Sequence, residues 1–337
     1  MTDAGPAVTE ARVAAAPPLL VIAGATATGK TGLSLAVADA LLVEGIPAEI
    51  ISADSRQVFR GLDIGTAKVG ADDRARIRHH GLDLADPDQA FSVADYLACV
   101  AEALARIAAL GGVAILVGGT GFYLRAVARG LDTAALPADA AIRSRIEAEI
   151  DEGGVYRAAD RLLGLAPSLA GRTDLANRRR VARALEIAEI QGDAPLPEPL
   201  GYPGPVTWLG LRPDPVRHHQ LIADRARAQF DSGLVDEAAA LRARFDPGLP
   251  AFSAIGYRES WAYLDGQLSR DAAIALDATR SIQFAKRQAT WFRSERVVEW
   301  LNPAEEGFFA AVLDRARALA AAHRHARRGD EPGTLAP

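Results

Sequence analysis

The stretch "LLVIAGATATGKT", residues 19–31, decides how this chain is read. Apolar residues of buried-strand type, Leu19 to Ala23, run into a turn bounded by Gly24 and Gly29 and closed by Lys30 and Thr31. From Thr31 to Val43 apolar residues recur at helical spacing, so the order is strand, loop, helix. In that context the pattern G-x-x-x-x-G-K-[ST] has a mechanism. Its glycines let the backbone curl until successive N–H groups face one anion, at the positive end of the following helix. Lys30 adds a full charge toward phosphate oxygens, and Thr31 offers a hydroxyl to Mg²⁺. Gly24, Ala25, Thr26, Ala27, Thr28, Gly29, Lys30 and Thr31 are therefore the expected phosphate cradle. The bland alternative is a glycine turn that only packs a helix on a strand.

Outward from the loop, "AEIISAD" is a second strand candidate ending at Asp54, and "SVADYLACVAEALARIAAL" an amphipathic helix closed by Gly111-Gly112. "VAILVGG" is a third buried strand, leading through "GTGFYLRAV" into another helix. Strands alternating with helices at these lengths predict a parallel sheet covered on both faces. From Leu131 to Ile190 the patterns are helical throughout, with a basic segment at "NRRRVARALEI". "QGDAPLPEPLGYPGP" reads as a connector, "VTWLGLRP" as a returning core strand, and helices dominate from Val216. The expected class is α/β, a P-loop NTPase-like core with an all-helical insert. The core's first part spans 17–130, the insert 131–204 and the completion 205–322, with flexible tails at 1–16 and 323–337.

Composition narrows the function classes. A chain of 337 residues with 49% hydrophobic content can bury a sizeable core. A net charge of -5 excludes a globally basic protein, yet nucleic-acid binding needs only a local basic stripe. The lone Cys99 excludes a disulfide framework and a cysteine-cluster zinc module. The opening residues lack a basic start and a leucine-type apolar block, and no run approaches the ~18 apolar residues of a membrane helix. A soluble cytoplasmic protein is expected. A nucleotide hydrolase usually carries a later strand ending in an acid that holds Mg²⁺. "VAILVGG" ends instead in glycines and Thr120. The nearby strand-end acid is Asp54, followed by a polar segment with Arg56, Arg60 and Lys68. Such an acid can bind metal or take a proton from a nucleophile.

"GATATGKT", "ISADSRQVFRGLDIGTAK", "LVGGTGFYLRA", "AIGYRE" and "TRSIQFAKRQATWFR", in this order, resemble the tRNA dimethylallyltransferases of the bacterial type, from about Leu19 to about Arg296. Departures are Ala25, where the family loop usually has proline, and Phe59, where tyrosine is frequent. The resemblance implies transfer of a dimethylallyl group from dimethylallyl diphosphate to N6 of the tRNA adenine on the 3′ side of the anticodon. The anion on the loop is then a leaving diphosphate, and Mg²⁺ is the implied cofactor. Asp54 resembles the family's general base, with a metal ligand or helix cap as its alternative; Thr28 and Lys30 complete the catalytic set. Ser55, Arg56 and Gln57 resemble residues that hold the target base, although Gln57 could instead cap local backbone. Thr120 and Arg143 match tRNA contacts, and Arg179, Arg180 and Arg183 line the insert as phosphate contacts or as a plain solvated face. Arg225 aligns with a diphosphate-holding arginine, the alternative being a helix-surface ion pair. Ser253, Gly256, Tyr257 and Arg258, then Lys286, Arg287, Gln288, Trp291 and Arg293, resemble two C-terminal tRNA-contacting segments. At least one of Trp291 and Phe292 is expected in the core. Rival readings are an AMP or ADP prenyltransferase, a small-molecule kinase and a nucleotide-sensing module. A monomer is expected.

Overall fold

The structure, a computed structural model, describes residues 16–133 and 135–329, without the side chains of 324–329. Two compact units emerge, one of residues 16–130 and 201–329 and one of 131–200.

In the first unit β1 (Leu19–Gly24) leads through the glycine loop into α1 (Lys30–Val43), and β2 (Ala48–Ser52) follows. Next come α2 (Ala71–Arg76), β3 (His79–His80), α3 (Val93–Ala109), β4 (Val113–Gly118) and α4 (Gly121–Ala128). The six strands of the sheet are all parallel, in the order β3-β2-β4-β1-β5-β6. Ser92 and Asp95 close a capping box that starts α3 where the apolar periodicity begins.

The second unit holds α5 (Ala140–Leu165), α6 (Pro167–Ala170) and α7 (Arg178–Gln191). No strand occurs among its described residues. Residues 201–204, expected with the insert, run instead with the core. Gly201 N–H donates to Arg129 O, and the Tyr202 hydroxyl donates to Pro17 O at 2.7 Å.

The core resumes with β5 (Val206–Leu211), α8 (Pro215–Asp231), α9 (Leu234–Arg242), a 3₁₀ turn (Pro250–Ser253) and α10 (Tyr257–Leu264). It ends with α11 (Arg270–Phe292), β6 (Glu299–Leu301) and α12 (Phe308–Gly329). The stretch expected as a tail from His323 is thus helix as far as Gly329, while 1–15 and 330–337 lie outside the described residues.

Strand side chains alternate between two cores. Leu19, Val21 and Ala23 join the cluster under α3, α4 and the C-terminal helices, whereas Leu20 and Ile22 join the one under α1 and α12. Because the strands are parallel, the carboxyl ends of β1, β2 and β4 open on one edge. The chain leaves β1 toward β4 and β2 on one side and returns to β5 on the other. The crevice outside that reversal is where open α/β sheets bind ligands. Among the described residues no helix is long and apolar enough to cross a membrane.

Candidate active site

Three strand ends build the site. After β1, Gly29 adopts φ 90°, a left-handed conformation that favours glycine, and Ala27 also has positive φ at 58°. Such turns aim successive N–H groups at one point. After β2 stands Asp54, whose Oδ1 accepts from the Arg56 N–H at 2.8 Å. After β4, Thr120 N–H donates to Ala53 O, and Thr120 Oγ1 accepts from Ser55 N–H at 3.0 Å. The Thr120 turn therefore clamps the backbone on both sides of Asp54.

These ends line a cavity of about 370 Å³. Lys30, Arg56, Arg225 and Arg287 face it, against the carboxyls of Asp54 and Asp277. An acidic chain thus carries a local cationic cleft, suited to a polyanion. The Lys30 ammonium folds back on Ala25 O. Burial, and then the Arg225 cation, pull its pKa down to about 7, opposed by Asp54.

Arg225, on α8, donates from Nη1 to Thr26 Oγ1 at 2.8 Å, so it lies against the phosphate loop and not in a surface ion pair. Burial lowers its pKa. His218, Ile222 and Gln229 share that helix face. His218 Nε2 lies 2.8 Å from Thr26 O, Ile222 packs on Ala25, and Gln229 donates to Ile64 O and Gly65 O. The 218-222-225-229 spacing was visible in the sequence, but nothing local marked which face would meet the loop.

Several expected contacts have other roles. Thr28 is buried, and its hydroxyl donates to Ala25 O at 2.9 Å, so it braces the loop and is not among the residues that line the cavity. Gln57 lines the cavity, while its amide oxygen accepts from Ser52 Oγ and its nitrogen donates to Thr66 O. Tyr257 is fully buried, with its hydroxyl on Glu237, the carboxylate that also holds the Ile64 and Gly65 N–H groups. Gly256 is buried at the start of α10, where its N–H donates to Glu259. Gln288 is 7% exposed and bonded on both sides. Phe292 is core, and half-buried Trp291 packs over Gly121 beneath the Arg125 guanidinium. Ser253, Arg258, Lys286, Arg287 and Arg293 remain exposed.

In the helical unit, fully buried Glu186 accepts from Asp139 N–H, from Arg143 through Nε and Nη2, and from Arg183 Nη1. Those two arginines are ion-paired, while Arg179 and Arg180 are exposed with no ion pair among the described residues. Burial pushes the Glu186 carboxyl up, but these bonds outweigh it and hold its pKa below the usual glutamate value. Glu186→Ala is expected to destabilise this unit by about 2–3 kcal/mol. That is below the cost of breaking a fully buried pair, because the arginines are partly in solvent. Loss of hydrogen-exchange protection in α5 and α7 reads the effect. A depressed carboxyl stabilises above the unfolded pKa and loses that stabilisation as pH falls through its folded pKa, so the difference from wild type shrinks in acid.

The family model described as IPP transferase matches residues 57–295. The chain belongs to the IPP transferase family. A tRNA dimethylallyltransferase of Symbiobacterium thermophilum is 40% identical over 292 residues, covering 85% of this chain and 89% of that one. One of Thiobacillus denitrificans is 40% identical over 316 residues, covering 91% and 97%. The crystal structure of the full-length tRNA isopentenylpyrophosphate transferase of Bacillus halodurans superposes with a TM-score of 0.66 at 33% identity, covering 92% of this chain and 99% of that one.

Within this IPP transferase the sequence reading missed one buried acid. Asp277, on α11, lines the cavity at 2% exposure; Oδ1 accepts from Ser281 Oγ and Oδ2 has no hydrogen-bond partner among the described residues. Burial, then Glu259, raise its pKa to about 6, against Arg225 and Arg280. An acid whose folded pKa exceeds its unfolded value costs stability as pH rises through that interval. Asp277→Asn is therefore expected to stabilise the fold by about 1–3 kcal/mol at pH 8 and by nothing near pH 4. Unfolding at both pH values checks this, and equal effects at both would contradict it.

Proposed function

We propose that this protein transfers the dimethylallyl group from dimethylallyl diphosphate to N6 of the tRNA adenine on the 3′ side of the anticodon. It acts as a cytoplasmic monomer and releases diphosphate. The N6 lone pair forms a bond to the allylic carbon while the carbon–oxygen bond to diphosphate breaks. Diphosphate leaves with that electron pair, and the N6 proton goes to Asp54. Negative charge grows on the diphosphate as it departs. Fixed N–H dipoles, Lys30 and Arg225 therefore stabilise the transition state more than the ground state.

The observation that carries this reading is the meeting of a phosphate loop with Asp54 in one cationic cavity, while β4 ends in glycines and Thr120 with no acid. Such a site offers the Asp54 carboxylate to an amine proton, while the end of β4 lacks the Mg²⁺-holding acid that hydrolases carry there.

Among the described residues no His, Cys, Asp or Glu group of three or more could cage a metal. Thr31 lines the cavity beside the phosphate loop, and its lone hydroxyl fits Mg²⁺, which takes few protein ligands and completes its shell with substrate phosphate oxygens and water. When bound, Mg²⁺ would add positive charge against the leaving diphosphate. Arg179, Arg180, Arg258, Lys286, Arg287 and Arg293 are offered as RNA phosphate contacts, since all are exposed cations.

Incubation with unmodified tRNA and labelled dimethylallyl diphosphate tests the reading. Label is expected in RNA at the anticodon-adjacent adenine. Label in free AMP but not in RNA, or phosphate transfer from ATP without prenyl dependence, would overturn it.

A further inference from the structure

We infer that Gln288 is a positioning residue that joins the donor loop to the acceptor side of the cavity, so that RNA docking on α11 tightens the grip on the diphosphate. The inference rests on the function proposed above. Gln288 Oε1 accepts from the Thr26 N–H at 2.9 Å, and its Nε2 donates to Gly119 O at 2.9 Å. One amide thereby bonds the backbones of two loops, 262 and 169 residues away in sequence. The approach is close enough that a Cβ on Gly119 would lie 2.3 Å from Nε2.

Each arm leads into the chemistry. On the donor side, Thr26 is held through all its polar groups: N–H by Gln288, Oγ1 by Arg225 and O by His218. On the acceptor side, Gly119 precedes Thr120, which bonds Ala53 O and Ser55 N–H around Asp54. Meanwhile the neighbours Lys286 and Arg287 are exposed, and Arg287 lines the cavity. The helix thus shows cations to an incoming polyanion and an amide to both halves of the site. A small shift of α11 on RNA binding moves Thr26 and Gly119 together, because a buried amide with both bonds made resists giving up either. Coupling of this kind is reciprocal between ligands.

The test measures dissociation constants for dimethylallyl S-thiolodiphosphate, with Mg²⁺, in the absence and presence of a saturating anticodon stem–loop. In the wild type, RNA is expected to tighten donor binding about 5- to 50-fold, and the analogue to tighten RNA binding by the same factor. Gln288→Met, close in shape but without either bond, is expected to bring that factor near one while RNA affinity alone stays within about twofold. Gln288→Glu keeps the Thr26 acceptor and loses the donation to Gly119; it should likewise lose the coupling, and its added charge beside the cradle should weaken donor binding as well. A purely structural role would weaken both ligands without changing the factor. Amide exchange at Thr26 in the wild-type protein gives a readout free of mutation, with protection rising when RNA binds. Independent binding of the two ligands in the wild type, an unchanged factor in Gln288→Met, or unaltered Thr26 exchange would overturn the coupling alone. Failure of the wild type to bind either ligand would overturn the proposed function instead.

Discussion

Asp54→Asn is expected to lower kcat for prenyl transfer by about 10²–10⁴-fold, while the dissociation constants for donor analogue and RNA stay within a few-fold. The substitution is conservative in shape. Asn keeps an oxygen to accept from the Arg56 N–H, the bond that orients the side chain at the end of β2. The Thr120 clamp on Ala53 O and Ser55 N–H does not involve the side chain at all. What disappears is the second carboxylate oxygen, which has no hydrogen bond among the described residues, and with it the lone pair that takes the N6 proton. An exocyclic adenine amine is a weak nucleophile whose proton must leave as the new bond forms. Single-turnover transfer with saturating ligands isolates this step. A rate within tenfold of wild type would remove Asp54 from the base role and leave it as a capping or metal-holding residue.

Lys30→Met should lower kcat/KM by about 10²–10³-fold, the usual cost of losing one preorganised charge at a developing anion. It should also erase a pH dependence that the wild type shows. With its pKa pulled down to about 7 by burial and Arg225, Lys30 is largely neutral at pH 8 and largely charged at pH 6 before a donor binds. A bound diphosphate favours the ammonium, so donor binding takes up a proton once the pH exceeds about 7. Apparent affinity then falls by up to about tenfold per pH unit above that point. Calorimetry in two buffers of different ionisation enthalpy counts the proton directly. Proton uptake that persists in Lys30→Met would assign it to another group.

Much of the fold is written locally. The apolar run 19–23, the glycine turn and the helical spacing to Val43 each depend on residues a few positions apart. Period-two and period-3.6 patterns of that kind survive without knowledge of the partner. The same holds for β2, β4, β5 and the strand-free stretch between Leu131 and Ile190. Lys30 and Asp54 were legible for the same reason, since Lys30 closes the glycine turn after β1 and Asp54 lies just past β2, which puts both at the sheet's carboxyl edge.

Tertiary structure alone decided the rest. β3 and β6 span only His79–His80 and Glu299–Leu301, too short for any periodicity, and they exist because β2 and β5 offer open edges to pair with. Arg143 and Arg183 look like Arg179 and Arg180 in sequence, yet Glu186 claims the first pair and leaves the second exposed. Gln288, Trp291 and Tyr257 lie in segments that read as a surface, and each is turned toward a partner far away in the chain: Thr26 and Gly119, Gly121, Glu237. Sequence patterns report which faces of a segment are apolar. Whether a polar side chain on such a face is free or already bonded depends on what packs opposite, and only the folded chain supplies that neighbour.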